Sequence, residues 1–212
     1  RVPTQQHDVE TLSRQLEEAL RFDTATGLLK RTVFFEQAAA QAAQTLKAGL
    51  RAIVYLEPDK LSALEGELGT LALEDLIEGV GQQLRSLLQP GDAAGRISPR
   101  GFAVMAERGN ARDLDAWVAR VLQRMSEGVF HAGDRSVPIT CSAGATLLNA
   151  HGELIDAPLQ ASIKAARAAS AAGGNRLLRP EAPGDKPDID EADRTWATRI
   201  KSALMANRFR LV

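Results

Sequence analysis

Residues 93–106 read Ala-Ala-Gly-Arg-Ile-Ser-Pro-Arg-Gly-Phe-Ala-Val-Met-Ala, and the fold class follows from this stretch. Its two halves, 93–98 and 102–106, are short strand-like runs, and the turn residues 99–101 between them predict a β-hairpin with a tight tip. Helical and strand patterns alternate along the rest of the chain, as they do in doubly wound folds. Because the strands of a hairpin pair antiparallel, the sheet must be at least partly antiparallel, and we predict an α+β fold instead.

The periodicities of the flanking segments predict the other elements. Residues 50–57 are rich in strand-forming residues and predict a central strand, which Pro58 ends because its ring removes a backbone donor. Two further strands are predicted over 137–148 and near 176–178. Apolar residues at intervals of three and four predict two amphipathic helices, over approximately residues 73–87 and 114–125. Two further helices are predicted over approximately residues 32–47 and 159–172, the second of them rich in alanine.

The composition excludes several classes of protein. The chain has 212 residues, of which 44% are hydrophobic and 25% charged, and its net charge is −1. A strongly basic nucleic-acid-binding face is therefore not expected. No apolar run approaches the roughly 20 residues that span a bilayer, so we expect no membrane segment in this fragment. The single cysteine, Cys141, excludes an internal disulfide and a cysteine-based zinc site, and without a signal peptide it favours a cytoplasmic location.

The two ends of the chain are expected to lie outside the main domain. Residues 1–21 predict a lead-in helix that Asp8 caps and that carries a two-heptad apolar seam. The seam consists of Val9, Leu12, Leu16 and Ala19. It is equally compatible with a homodimeric coiled coil that continues an upstream signalling helix and with a helix packed on the domain. Residues 180–190 have the composition of a linker, and the chain, which begins at Arg1 and stops at Val212, is expected to be a fragment of a longer protein.

Four stretches between residues 22 and 179 resemble, in order and spacing, the GGDEF domain of diguanylate cyclases. They are Asp23-x-x-Thr26-Gly27-Leu28-x-x-Arg31-x-x-Phe34, the strand 53–57 with Asp59 and Gly69, Thr140-Cys141-Ser142-Ala143-Gly144, and Ala169-Ser170-Ala171-Ala172-Gly173-Gly174-Asn175. The resemblance implies a domain over residues 22–179 with a ferredoxin-like fold similar to the palm of nucleotide cyclases. Such a fold has a mostly antiparallel central sheet of about five strands flanked by helices.

Residues 191–212 resemble the first helix and strand of an EAL phosphodiesterase domain. The matching pattern is Trp196-x-x-Arg199-Ile200-x-x-Ala203-Leu204-x-x-x-Arg208-Phe209-x-Leu211. The resemblance implies a tandem GGDEF–EAL protein of cyclic-di-GMP signalling, in which the partners are the linked EAL domain and an upstream sensor domain. The chain is similar to the degenerate GGDEF domains of cyclic-di-GMP receptors linked to type IV pili, surface adhesion or biofilm control.

The signature hairpin of the family is degenerate in this chain. In the family, two glycines and an acidic residue hold metal ions and triphosphate. The corresponding run here is Ser98, Pro99, Arg100, Gly101 and Phe102, of which the phenylalanine is the one residue kept. Pro99 removes an N–H, Arg100 brings a cation to the place where metal ions would gather, and Gly101 has no side chain to bind them. The resemblance therefore implies a domain without catalytic residues and without a cofactor.

Other family positions keep polar groups. By the resemblance, the residual metal positions are Glu57 and Asp59, the residual nucleotide positions are Glu65, Glu74 and Lys164, and the remnants of the product-feedback inhibitory site are Gln89 and Asp92. Two acids at a strand end either hold a cation weakly or form a solvated acidic surface, and both interpretations stay open. The inhibitory site has lost the arginine that would bind a cyclic-dinucleotide phosphate.

Three functions are compatible with these observations. The first is a catalytically inactive GGDEF domain that acts as a regulatory and scaffolding module. The second is a residual GTP-binding sensor or weak diguanylate cyclase, which would need Mg²⁺ with GTP. The third is a domain for dimerisation or partner docking alone. Because function depends on the site more than on the fold, the residues of the hairpin favour the first.

Overall fold

The structure is a computed structural model that describes residues 3–148 and 154–180. In this part of the chain the elements are α1 (Pro3–Arg21), β1 (Leu29–Lys30), α2 (Arg31–Ala43), β2 (Leu50–Pro58), α3 (Leu61–Leu68), α4 (Thr70–Ser86), β3 (Ala93–Ser98), β4 (Gly101–Arg108), α5 (Ala111–Glu127), β5 (Phe130–Ala132), β6 (Arg135–Val137), β7 (Cys141–Leu147), α6 (Asp156–Ala171) and β8 (Leu177–Leu178). The predicted linker from residue 181 onward and the EAL-like segment lie outside the described residues.

The predicted β-hairpin supplies two neighbouring strands of the central sheet. β3 and β4 pair antiparallel from Ala93 opposite Met105 to Ser98 opposite Gly101. β4 pairs antiparallel with β2, and β2 with β7, whereas the short outer strands β1 and β8 pair parallel with β3 and β7. The strand order is β1-β3-β4-β2-β7-β8. The predicted α+β class and mostly antiparallel sheet are confirmed. The sheet has six strands instead of about five, because the two residues of β1 are too few to show a periodicity.

Side chains of β2 alternate between two apolar cores, one on each face of the sheet. Ile53 and Tyr55 pack with residues of α2 and α6 on one face. Ala52, Val54 and Leu56 pack with residues of α4 and α5 on the other. All five are at most 3% exposed. Burial on both faces fixes the register of β2, since a slip by one residue would exchange the two sets of side chains.

Two predicted starts lie four or more residues from the observed ones, and each difference has a local cause. The strand predicted over 137–148 begins only at Cys141, because residues 130–137 form a separate hairpin, β5–β6, which turns at Gly133 with φ +59°. The helix predicted to begin at an Asp8 cap starts at Pro3, so Asp8 lies inside α1. Strands of three residues and the ends of helices carry little periodic signal, and they are therefore the features that the sequence defines least well.

The lead-in helix α1 exposes its predicted seam. Val9, Leu12 and Leu16 are 64%, 64% and 61% exposed, so α1 does not pack on the domain through these residues. The last turn of α1 is held by Lys30, whose ammonium donates to the Ala19 carbonyl oxygen over 2.7 Å and satisfies one of the free carbonyls at a helix C-terminus. Among the helices of the described ranges, none combines the length and the apolar composition that crossing a membrane requires.

Candidate functional site

The tip of the β3–β4 hairpin is a two-residue turn made of Pro99 and Arg100. Ser98 and Gly101 pair on either side of the turn, and the register shifts between Arg96 and Ser98. Neither turn residue has a positive φ, so the turn differs from the left-handed turns that most two-residue hairpins use. Pro99 has no backbone N–H. The tip therefore offers a bound phosphate one donor fewer than a pair of glycines would.

Tyr55 fills the space beside Gly101. Its hydroxyl donates to the Glu57 carboxylate over 2.9 Å and lies 3.5 Å from the Ser98 hydroxyl oxygen. A Cβ atom built on Gly101 would collide with the hydroxyl and ring of Tyr55. Burial raises the pKa of Tyr55 to about 12, with a smaller contribution from the charge of Glu57 and an opposing one from Ser98, so the phenol stays protonated. A side chain at position 101 and the buried phenol therefore exclude one another.

Arg100, at the tip, contacts α3. Its guanidinium forms an ion pair with the Glu65 carboxylate and donates to the Ser62 hydroxyl, with an Nη1–Oγ distance of 3.2 Å. The Arg100 and Glu65 side chains are 36% and 35% exposed, which places the pair at the surface. Glu65 is one of the predicted nucleotide positions. Its carboxylate is thus engaged by an arginine of the same chain.

Arg96, on β3, makes a similar contact with α4. Its two terminal nitrogens bind both oxygens of the Glu74 carboxylate, at 2.5 and 2.9 Å, and Nη2 also donates to the Pro99 carbonyl over 2.7 Å. The hydrogen bonds from Arg96, opposed by the smaller effect of burial, lower the pKa of Glu74. Glu65 and Glu74, the two acids predicted as nucleotide positions, are therefore bound by one arginine in the tip and one on β3 beside it.

Asp59, one of the predicted metal positions, is an internal anchor. Its carboxylate accepts hydrogen bonds from the hydroxyls of Thr140 and Ser142, both at 2.7 Å, and from the backbone N–H of Asn175 at 2.9 Å. Burial by itself would raise the pKa of Asp59, but these hydrogen bonds together outweigh it and lower the pKa. A Cβ at Gly174 would come within 2.6 Å of the carboxylate oxygen Oδ2, so the chain closes over this group.

Comparison with known proteins identifies the family to which this chain belongs. The family profile described as "Diguanylate cyclase, GGDEF domain" matches residues 20–176, which is most of the chain. The chain belongs to the GGDEF family. A crystal structure of the diguanylate cyclase SiaD in complex with its activator SiaC from Pseudomonas aeruginosa has a TM-score of 0.71 to this GGDEF domain, at 19% identity, and the match covers 83% of this chain and 68% of SiaD. At that level of identity the similarity shows the fold alone.

Two curated relatives of this GGDEF domain are described as cyclic di-GMP phosphodiesterases. NbdA of Pseudomonas aeruginosa is 27% identical over 161 residues, which are 76% of this chain and 20% of NbdA. PdeB of Shewanella oneidensis is 26% identical over 207 residues, which are 95% of this chain and 23% of PdeB. The chain therefore spans about a fifth of the length of the curated relatives that it matches.

The residues of this GGDEF domain do not fit the Mg²⁺–triphosphate complex that a diguanylate cyclase implies. Mg²⁺ takes oxygen ligands in a near-octahedral arrangement. Gly101 supplies no side-chain oxygen, Asp59 already accepts three internal hydrogen bonds, and the Glu57 carboxylate is bound by the Tyr55 hydroxyl. The described residues bring no three His, Cys, Asp or Glu side chains into a possible metal-binding group.

Gln89 and Asp92, the residues predicted as remnants of an inhibitory site, form internal contacts in this GGDEF domain. Asp92 binds the guanidinium of Arg108 through both oxygens, at 2.7 and 2.8 Å, and the two side chains are 1% and 4% exposed. The same guanidinium lies over the Trp117 ring, 4.7 Å from its centroid. Gln89 contributes its backbone N–H, which donates to Asp92 over 2.9 Å. Asp92 thus anchors the end of β4.

Sequence reasoning did not single out Arg167, an exposed residue of α6 whose charge has a small effect on the pKa of Tyr55. The predicted α6 cation is Lys164, whose side chain is exposed. The positive charge of Arg167 acts on Tyr55, where it opposes the rise in the pKa of the phenol. Arg167 stands in an alanine-rich run, between Ala166 and Ala168, where no motif draws attention to it.

Proposed function

We propose that this chain is a catalytically inactive GGDEF domain that acts as a regulatory and scaffolding module in cyclic-di-GMP signalling in the cytoplasm. The observation that carries the proposal is the mutual exclusion of the Tyr55 phenol and any side chain at position 101. By the resemblance of this hairpin to the signature hairpin of the family, an active cyclase needs a metal-binding acid at that position. Here the sheet is packed so that such an acid has no space.

The charges around the tip support the same proposal. Arg100 and Arg96 bind Glu65 and Glu74, the two acids at positions matching base contacts. A nucleotide base would have to displace both guanidinium groups before it reached these carboxylates. The base would gain only the difference in free energy between its own hydrogen bonds and those that the arginines already make. GTP is therefore expected to bind weakly at this face.

The proposed partners are an EAL domain, which begins at residue 191 after the linker 180–190, and an upstream sensor domain. Both curated relatives carry the name cyclic di-GMP phosphodiesterase. The match to PdeB covers 95% of the chain and so extends beyond residue 180. We extend the proposal to a module that acts as a scaffold for such a phosphodiesterase or regulates it, in a protein similar to regulators of type IV pili and biofilms.

The proposal predicts no cyclic dinucleotide from the purified chain supplied with GTP and Mg²⁺ or Mn²⁺. The Gly101→Glu variant is also expected to make none, because the Tyr55 ring occupies the space that the new carboxylate needs. Chromatographic detection of the product, with an active diguanylate cyclase as the positive control, checks both expectations. Clear turnover by the unaltered chain would contradict the proposal.

Calorimetry with GTP at millimolar magnesium separates this proposal from a GTP-binding sensor. A sensor that uses the residual acids would bind GTP, and its affinity would fall on Glu57→Ala and Glu74→Ala. The inactive module is expected to show no such heat of binding, because the Glu57 carboxylate is held by Tyr55 and the Glu74 carboxylate by Arg96. Binding that both substitutions weaken would favour the sensor.

A second copy of the chain is a proposed partner for α1. Leu12 and Leu16 are 64% and 61% exposed on the seam, and a coiled coil buries such residues against a matching helix. Sedimentation velocity is expected to show a dimer that dissociates in the Leu12→Lys/Leu16→Lys variant. The control variant Ser13→Lys/Glu17→Lys changes neither leucine and is expected to stay dimeric. A monomer in all three proteins would contradict the proposed dimer.

A further inference from the structure

α3 is a short helix with a left-handed backbone residue at each end. Lys60, which precedes it, has φ +58°, and Gly69, which follows it, has φ +84°. A positive φ is unfavourable for a lysine, which the surrounding structure must therefore hold in place. Leu61 is the one fully buried residue of α3, at 4% exposed, while Leu64 and Leu68 are partly buried. The helix is consequently attached to the core by few contacts.

The hairpin tip supplies a polar attachment for α3. Arg100 reaches across from the turn and bonds two residues one turn apart on that helix, the Ser62 hydroxyl and the Glu65 carboxylate. On the other side of the tip, Arg96 binds Glu74 of α4 and the carbonyl of Pro99. The turn is thus fixed between two helices by two guanidinium groups.

We propose that Arg100 is a latch that holds α3 against the tip of the β3–β4 hairpin, so that this face of the domain keeps the observed arrangement without a bound nucleotide. The inference rests on the proposed function in one respect: a module that regulates its partner without GTP needs a surface that does not depend on GTP. The latch itself is a physical contact, and it can be measured in the absence of any ligand.

Two features of the contact define how the latch behaves. Its side chains are about one third exposed, at 36% and 35%, so dissolved salt screens the attraction between them. The backbone amides of Ala63 and Leu64 donate to the Lys60 carbonyl, and that of Gly69 donates to the Glu65 carbonyl. These amides report on the opening of α3, because each exchanges its hydrogen only when its own bond breaks.

Hydrogen exchange of these amides in the 212-residue chain, without nucleotide, tests the latch. Arg100→Ala is expected to accelerate exchange at residues 63, 64 and 69 by about two- to fivefold, the range for loss of a partly exposed ion pair. Glu65→Gln is expected to act similarly, and the double variant no more than either single one, because both changes break the same contact. Arg179→Ala, which removes the surface pair with Asp115, is the control and is expected to leave α3 unchanged.

Salt provides a test that needs no substitution. Raising sodium chloride is expected to accelerate exchange of the α3 amides in the unaltered chain and to have less effect in Arg100→Ala. Unchanged exchange in both single variants, or additive effects in the double variant, would overturn the latch. Those outcomes would leave the proposed function standing, since it is tested by turnover of GTP. Conversely, a chain that makes cyclic dinucleotide would refute the proposed function whatever the exchange rates are.

Discussion

An Asp59→Ala variant is expected to lose about 2–4 kcal/mol of free energy of unfolding. The substitution removes the acceptor for the hydroxyls of Thr140 and Ser142 and for the backbone N–H of Asn175. These three donors would stay at a site where Asp59 is only 5% exposed, with few water molecules to replace it. Equilibrium unfolding in urea, followed by circular dichroism, measures the difference between the variant and the unaltered chain.

The matched control for Asp59 is Asp115→Ala. Asp115 is 51% exposed and pairs with Arg179 at the surface. Its removal is expected to change the free energy of unfolding by less than about 1 kcal/mol, as for other exposed ion pairs. Equal losses in the two variants would contradict the role of Asp59 as an internal anchor.

The stabilisation by Asp59 depends on pH in a definite direction. The pKa of Asp59 in the folded protein is lowered from its ordinary value of 3.8. The folded state therefore favours the charged carboxylate, and the resulting stabilisation is fully present above the ordinary pKa and is lost as the pH falls through the lower, folded value. The stability difference between the unaltered chain and Asp59→Asn is expected to be larger at pH 6 than at pH 2, as measured by urea unfolding at each pH.

An Asp92→Ala variant is expected to lose about 3–5 kcal/mol, the effect of leaving one partner of a buried ion pair uncompensated. Arg108 would keep its charge in a place where its side chain is 4% exposed. Its guanidinium would retain the Trp117 ring and the backbone carbonyl of Glu107, neither of which carries a balancing charge. Urea unfolding again provides the measurement.

The double variant Asp92→Leu/Arg108→Met separates the effect of charge on the free energy of unfolding from the effect of packing. Replacing both members of a buried ion pair by apolar residues of similar volume often has little effect on stability. The double variant is therefore expected to be more stable than Asp92→Ala, although it alters two residues. A double variant as unstable as the single one would mean that Asp92 acts through packing or the β4 backbone, and not by balancing the charge of Arg108.

The hairpin illustrates how far the sequence predicts the site. Residues 98–102 show a cation at Arg100 and no side chain at Gly101, and the resemblance to the family predicts from them the loss of a metal ligand. These residues do not indicate where the cation binds. Arg100 meets Glu65 thirty-five residues earlier in the chain, and Tyr55 approaches Gly101 from the neighbouring strand. Both contacts depend on the distance and direction of side chains from separate segments, which no periodicity expresses.

For the buried carboxylates Asp59 and Asp92, the sequence shows the residues and the structure shows their contacts. Asp59, the Thr140–Gly144 stretch and the Gly173–Asn175 turn are visible in the sequence as separate motifs, and the structure joins them in one hydrogen-bonded cluster. The side chain of Asp92, predicted as a remnant of an inhibitory site, is buried against Arg108. Sequence similarity identifies such positions, but the burial and partners of a carboxylate determine whether it binds a ligand or stabilises the fold.

The antiparallel hairpin and most of the longer strands and helices follow from the sequence alone, because backbone preferences and side-chain periodicity act over a few neighbouring residues. β1, α3 and the β5–β6 hairpin are not predicted from the sequence. The packing of Tyr55 against Gly101, the binding of Glu65 and Glu74 by two arginines and the burial of Asp59 and Asp92 arise only in the tertiary structure. The reason is physical: a salt bridge or a steric exclusion depends on separations of a few ångströms between groups that are distant in the chain, and only the packed sheet and helices fix those separations.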